Sequence, residues 1–276
     1  MTRDRSLSRW LLLGFLVLVL VVSIFPFAFA FSTALRPRAE LFRYPPTWLP
    51  DTWSWHNFVD VWSAVPLARY VRNSLVVSLG ATALNVTLAV PAAYALARLD
   101  FPGKTLFRQM LLVTQMFSPV VLVIGLFRFM SRLQLVDTSS SLIITYAALS
   151  LAFSVWFLAG YFESVPVDIE EAAMMDGCSR VTALVRVVLP MSAPGLVAAL
   201  VFAFIWSWNE FMIALTFIST PEKRTLPLGI YSFLGQYSVE WHYLMAAALI
   251  AGVPVLLLFL MIEKHLVKGL TAGAVK

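Results

Sequence analysis

Residues 168–190 read DIEEAAMMDGCSRVTALVRVVLP, a hydrophilic island between two long apolar runs. Asp168 follows Val165-Pro166-Val167 and is placed to cap the first free backbone N–H groups of a helix, with Glu171 three residues on reaching back as in a capping box. The pattern predicts a helix from about Ile169 to Asp176. Gly177 suits the left-handed residue that closes a helix, and Ser179 can cap a second short helix that ends before Pro190. The expected local structure is helix, turn, helix.

What flanks this island decides its setting. The 276-residue chain is 60% hydrophobic and 13% charged, with a mean hydropathy of +0.84, whereas soluble domains are about 45–50% apolar. Its main solvent is therefore lipid. The net charge of +5 does not indicate nucleic acid, because the basic residues stand singly between apolar runs and form no stripe. They read instead as topology signals. Cys178 stands alone, which excludes an internal disulfide or a CxxC site. His56, His242 and His265 lack metal-ligand spacing.

Outward from the island, the chain resolves into six apolar segments, at about residues 10–35, 73–97, 109–127, 138–162, 187–209 and 243–262. Each approaches the roughly 20 residues needed to cross a bilayer as a helix. The first, Trp10 to Leu35, is an uncharged run of 26 residues behind Arg3, Arg5 and Arg9. That is longer than the h-region of about 7–15 residues in a signal peptide, although Ala28-Phe29-Ala30 has the small-x-small form of a cleavage site. Arg36 to Arg72 carries Pro45-Pro46, Pro50 and Trp48, Trp53, Trp55 and Trp62, as expected of a segment lying along the membrane interface, with a short helix near Asn57 to Val65. Ser118-Pro119 predicts a kink in segment three. Residues 163–190 form the polar loop, residues 210–242 a second polar excursion, and residues 263–276 a tail. With both termini inside, the inner loops hold 11 Lys and Arg against 9 outside, a bias of the correct sign.

Gly103-Lys104-Thr105 imitates the end of a phosphate-binding loop, but the glycine needed five residues earlier is Arg98 and no strand precedes it. Any ATP must be hydrolysed by another chain. No Asp or Glu lies within the core of a predicted segment, which disfavours both a secondary transporter with ion-coupling carboxylates and an intramembrane enzyme. Polar groups inside apolar segments are costly unless paired or facing a cavity, which selects Asn85, Gln115, Asn209 and Glu210 as possible lining of a translocation pathway. For Asn85 and Gln115 the competing role is a hydrogen bond between helices.

Glu171-Ala172-Ala173, Gly177, Val187, Leu189 and Pro190 follow the pattern EAA-x3-G-x9-hydrophobic-x-LP. This resembles the EAA loop in membrane subunits of ATP-binding-cassette importers, with Val187 where isoleucine is commonest. The resemblance narrows to maltose-type carbohydrate permeases through Asn73-Ser74-Leu75, through Ala93-Tyr94-Ala95-Leu96-Ala97-Arg98-Leu99 with Phe101-Pro102-Gly103, through Trp208-Asn209-Glu210 and through Gly269-Leu270-Thr271-Ala272-Gly273.

The resemblance implies an all-α integral membrane protein of six transmembrane helices, a type I importer permease fold with cytoplasmic coupling helices. It implies a non-enzymatic subunit of the bacterial inner membrane with both termini cytoplasmic, embedded in the lipid bilayer and binding no nucleic acid. Its partners would be a second permease subunit, of which this chain resembles the smaller, two ATPase subunits holding ATP and Mg, and an extracytoplasmic solute-binding protein. Glu171, Ala172, Ala173, Gly177, Leu189 and Pro190 would couple to the ATPases, and the tail with Gly269 and Gly273 would make a second contact. The expected cargo is a carbohydrate, with glycerol phosphate as the alternative.

Overall fold

The computed structural model describes residues 3–45, 47, 49–235 and 238–272. Among them the regular structure is helical, the one β feature being an isolated antiparallel bridge between Leu234 and Val239. The helices are α1 (Arg3–Ala34), α2 (Arg38–Leu41), α3 (Asn57–Ala64), α4 (Leu67–Arg98), α5 (Lys104–Gln115), α6 (Pro119–Arg132), α7 (Ser139–Ser164), α8 (Val167–Met175) and α9 (Arg180–Ala183). A π turn (Leu184–Val188) leads into α10 (Leu189–Met191), followed by α11 (Ala193–Asn209), α12 (Met212–Phe217), α13 (Leu226–Tyr231) and α14 (Trp241–Ala272).

Arg9–Ala34, Leu67–Arg98, Ser139–Ser164 and Trp241–Glu263 are each long and apolar enough to cross a membrane. Two further spans arise only if each of two bent pairs counts as one: α5 with α6, bent by 102°, and Arg180–Met191 with α11, bent by 84°. The kink expected at Ser118-Pro119 is therefore a break, in which Ser118 is extended and Pro119 opens α6 at a position where its missing N–H costs nothing. Segment five likewise starts late, at Ala193, and the helix before it runs through Pro190 rather than ending ahead of it. The π turn lies directly before Pro190, and the Leu189 N–H reaches the Leu184 carbonyl. That wider register relieves the collision a proline ring makes in a regular α-helix. Segment six extends through Gly269 to Ala272, where a pliable end was expected. Gly273 lies outside the described residues, as do Pro46 and Trp48.

Contacts group the chain into two compact units, Met1–Leu67 with Ile230–Val253, and Ala68–Gly229 with Pro254–Lys276. In the first, the buried Asn57 amide donates to the Ala34 and Arg36 carbonyls at 2.8 and 3.0 Å, tying the end of α1 to α3. Arg36 donates to the Thr47 carbonyl at 2.6 Å, and Arg38 pairs with Glu240 at 2.9 Å.

The second unit holds two apolar clusters. One, around Val77, Leu142, Tyr146, Ile213 and Phe217, joins α4, α6, α7 and α12. The other, around Ala89, Ala93, Leu158, Ala159, Phe162, Val188 and Ala199, joins α4, α7 and α11 to the π turn. Its many alanines fit a lipid setting, where helices associate by close backbone approach rather than by escape from water. Some hydroxyls in the spans bond back along their own helix, as Ser150 does to the Tyr146 carbonyl and Ser207 to that of Ala203, both at 2.8 Å.

A polar knot closes one end of this unit. Asp137, at φ +60, accepts from the Ser219 and Thr220 N–H groups at 3.0 Å, the Thr220 hydroxyl at 2.6 Å and Lys223 Nζ at 2.9 Å. Burial alone would raise its carboxyl pKa, but the bonds from Lys223, Thr220 and Ser219 outweigh that and hold it well below the usual carboxylate range. A depressed pKa stabilises the fold above the unfolded value of about 3.9, and that contribution is lost as the pH falls through the folded value. Asp137→Asn should therefore melt at a lower temperature than the parent at pH 7. The gap should narrow below about pH 4, and a gap of constant size across that range would count against this account.

Candidate functional site

The polar loop is built by local rules that the structure displays one by one. Pro166, extended at φ −56° and ψ 131°, is the N-cap of α8, and no side chain caps it. The expected capping box is therefore absent. The helix starts at Val167, which moves Asp168 into the first turn, where its charge faces the positive end of the helix dipole instead of accepting an N–H bond. At the far end Gly177 has φ +89°. Its N–H bonds the Met174 carbonyl at 3.0 Å and the Cys178 N–H bonds that of Ala173 at 3.1 Å. This is a Schellman closure, which needs a left-handed residue at the glycine's position. Ser179 then caps α9 by accepting from the Thr182 N–H at 3.2 Å. On the bundle side, Ala183, Leu184 and Val188 are buried and Leu189 packs partly against the same cluster, while Pro190 is exposed.

The two faces of α8 differ in chemistry. Glu170 is its one buried residue, 3% exposed. One carboxylate oxygen accepts from the Tyr94 hydroxyl and the other from Arg98 Nε at 2.7 Å. Arg98 Nη2 also donates to the Val165 carbonyl at 2.7 Å. The opposite half is exposed: Asp168, Glu171 and Ala172 lie there, with Ile169 and Met175, the last 88% exposed. Beyond the turn Val181 and Val185 are exposed as well. Apolar side chains gathered on an otherwise polar loop are the informative kind of exposure, because such patches mark protein contacts. Sequence reasoning singled out Glu171 and passed over Glu170, its neighbour. The available signal was the basic residue at the end of segment two, Arg98, read there as a non-glycine and as part of the Ala93–Leu99 stretch but given no partner.

The four polar residues of the spans do not converge on one place. Asn85 is fully buried and donates from α4 to the Ala147 carbonyl and Ser150 hydroxyl of α7, at 3.2 and 2.9 Å. Gln115 is exposed at the end of α5. Asn209 and Glu210 do meet, on a cleft of about 570 Å³ shared with Pro119, Phe202, Trp206 and Phe211. The Glu210 carboxylate is engaged by the Tyr146 hydroxyl at 2.6 Å and by the Ile213 and Ala214 N–H groups at 2.8 and 3.2 Å, so it caps α12. The Asn209 amide donates to the Ile205 carbonyl of its own helix at 2.9 Å.

Apolar helices of membrane-spanning length joined to a clamped polar helix–turn–helix define an integral membrane protein. The family described as "Binding-protein-dependent transport system inner membrane component" matches residues 85–272, and the chain belongs to it. The chain is 40% identical to the sulfoquinovosyl glycerol transport system permease protein of Agrobacterium fabrum, covering 88% of this chain and 86% of that one. It is 39% identical to the trehalose/maltose transport system permease protein of Thermococcus litoralis, covering 80% of each. A crystal structure of a bacterial ABC transporter involved in the import of the acidic polysaccharide alginate contains a chain of the same fold, with a TM-score of 0.81 at 22% identity over 95% of this chain and 96% of that one. The protein is thus an all-α permease of the inner-membrane family, a transport subunit rather than an ATPase.

Proposed function

We propose that this chain is one of two membrane subunits of an ATP-driven carbohydrate importer, the smaller of the pair, and that the loop 163–190 couples it to separate ATPase subunits holding ATP and Mg. The observation that carries the coupling role is the exposed apolar face of α8, with Met175 88% exposed beside the free carboxylate side of Glu171, on a helix fixed to the bundle by its other face. A helix held from behind, with exposed Ile169 and Met175 beside the acidic Asp168 and Glu171 in front, is suited to seat in a cleft of a partner. Glu171, Ala172 and Ala173 would sit in that cleft, Gly177 would set the angle to α9, and Leu189 and Pro190 would join the loop to α11. The chain's end, with Gly269 and Gly273, would make a second contact. This places the loop and both termini in the cytoplasm, in keeping with the Lys and Arg bias.

The cargo reading rests on the relatives, named for trehalose, maltose and sulfoquinovosyl glycerol. A sugar or glycoside delivered by an extracytoplasmic binding protein fits them, and the Agrobacterium relative favours a glycerol-containing solute as the second reading. Asn209 and Glu210, with Trp206 and Phe202 beside them, are the residues most suited to meet such a solute. Asn85 and Gln115 lie apart from that cleft.

The test is to tag the chain, purify it from native membranes, and identify by mass spectrometry both the copurifying subunits and the ligand released from the binding protein. An ATPase subunit and a carbohydrate are expected. A chain that purifies alone and takes up solute on an ion gradient without ATP would overturn the reading.

A further inference from the structure

We propose that Arg98, Glu170 and Tyr94 form the joint through which movement of α8 passes into α4, with Arg98 and Glu170 as positioning residues for coupling; this rests on α8 being the docking helix. The backbone joins α8 only to its neighbours in sequence, α7 through extended Val165 and Pro166 and α9 through the Gly177 turn. Whether α4 follows α8 is therefore decided by side-chain contacts, and the one buried residue of α8 is a charge, not an apolar anchor.

That charge is held at both ends. Tyr94 and Arg98 stand four residues apart, hence on one face of α4, and each takes one oxygen of Glu170. The side chains of Arg98 and Glu170 are 6% and 4% exposed. Because Arg98 also holds the Val165 carbonyl at the end of α7, a single guanidinium joins three elements in a geometry a lysine cannot reproduce. Apolar packing would resist separation but permit sliding, whereas two directed bonds fix orientation as well. Stability alone gives little reason for the pair, since replacing a buried ion pair with well-packed apolar residues is commonly neutral or favourable. Further along α4, Asn85 binds the Ala147 carbonyl and Ser150 of α7, so a displacement delivered at Arg98 is shared by both helices.

The experiment uses the whole importer in nanodiscs and reads the copurified ATPase subunit and the ratio of ATP hydrolysis with and without the binding protein. R98M/E170M removes both charges, so no unpaired buried ion remains. It should assemble normally, yet lose stimulation by about tenfold. A joint that only held the loop in place would be restored by apolar packing, and stimulation at the parental level would overturn the proposal. If the double variant does not accumulate, R98K gives the same reading: stimulation falls at least about fivefold, or, if unchanged, the proposal fails. Met175→Asp on the exposed face separates the two levels. Intact stimulation there sinks the docking reading itself. Its loss, with normal stimulation in R98M/E170M and R98K, sinks the joint alone.

Discussion

A Gly177→Val chain is expected to insert and accumulate like the parent, while its importer should lose at least about tenfold of the ATP hydrolysis stimulated by the binding protein. A Cβ at Gly177 meets nothing within 4 Å, so no steric repacking is involved, and the whole effect comes from the backbone at φ +89°. An L-residue in the left-handed region costs roughly 1–2 kcal/mol, and a β-branched one is worse placed still. The cheaper course is to abandon that conformation, which breaks the paired N–H bonds to Met174 and Ala173 and turns α8 away from its aim relative to α9. Gly177→Asn, which tolerates the left-handed region better, should retain most of the stimulation. Glu171→Ala gives the complementary test. Glu171 is exposed, with no hydrogen bond or ion pair among the described residues, so its truncation should leave the melting temperature unchanged while stimulation falls. Parental stimulation in Gly177→Val and Glu171→Ala, at equal protein levels, would remove the loop from the coupling pathway.

The features of this loop that were legible in the sequence are those decided within about five residues. Gly177 and Ser179 act on backbone groups next to them, and so their roles as closure and cap could be read in advance. The Asp168 cap failed because Pro166, two residues earlier, starts the helix first. Glu170 was not legible, because adjacent residues on a helix point about 100° apart and only the tertiary placement of Arg98, 72 residues away in sequence, chooses between Glu170 and Glu171. Four of the apolar runs fall on helices long and apolar enough to cross a membrane, since lipid imposes length and composition. The runs did not reveal the bends of 102° and 84°. A proline marks where a helix can break, while the angle follows from what packs on either side. Asn209 and Glu210 were found as polar residues at a span's end; the bonds of Glu210 to the Ile213 and Ala214 N–H groups are local, but its bond from the Tyr146 hydroxyl, 64 residues away, is not readable from the sequence.

The largest stability loss is expected from Gly229→Ala. A Cβ built there would stand 2.1 Å from Tyr70 Cδ2 and 2.6 Å from Cε2, while Gly195 has the same relation to Tyr161, with Cγ at 2.2 Å. Neither approach is possible for real atoms, so in each case a ring must move. The two rings differ in where they can go. Tyr161 is half-buried and can swing toward the surface, whereas Tyr70 is 3% exposed and is enclosed on all sides. Overpacking of a closed site costs roughly 1–3 kcal/mol, and a site that relaxes by rotamer change should fall near the lower end. Gly229→Ala should thus melt further below the parent than Gly195→Ala does, and Tyr70→Leu in the same chain should recover part of the loss by vacating the ring's space. If Gly195→Ala proves the more damaging, or if G229A/Y70L is no better than Gly229→Ala alone, the contact between Gly229 and the Tyr70 ring is not what holds α13 against α4.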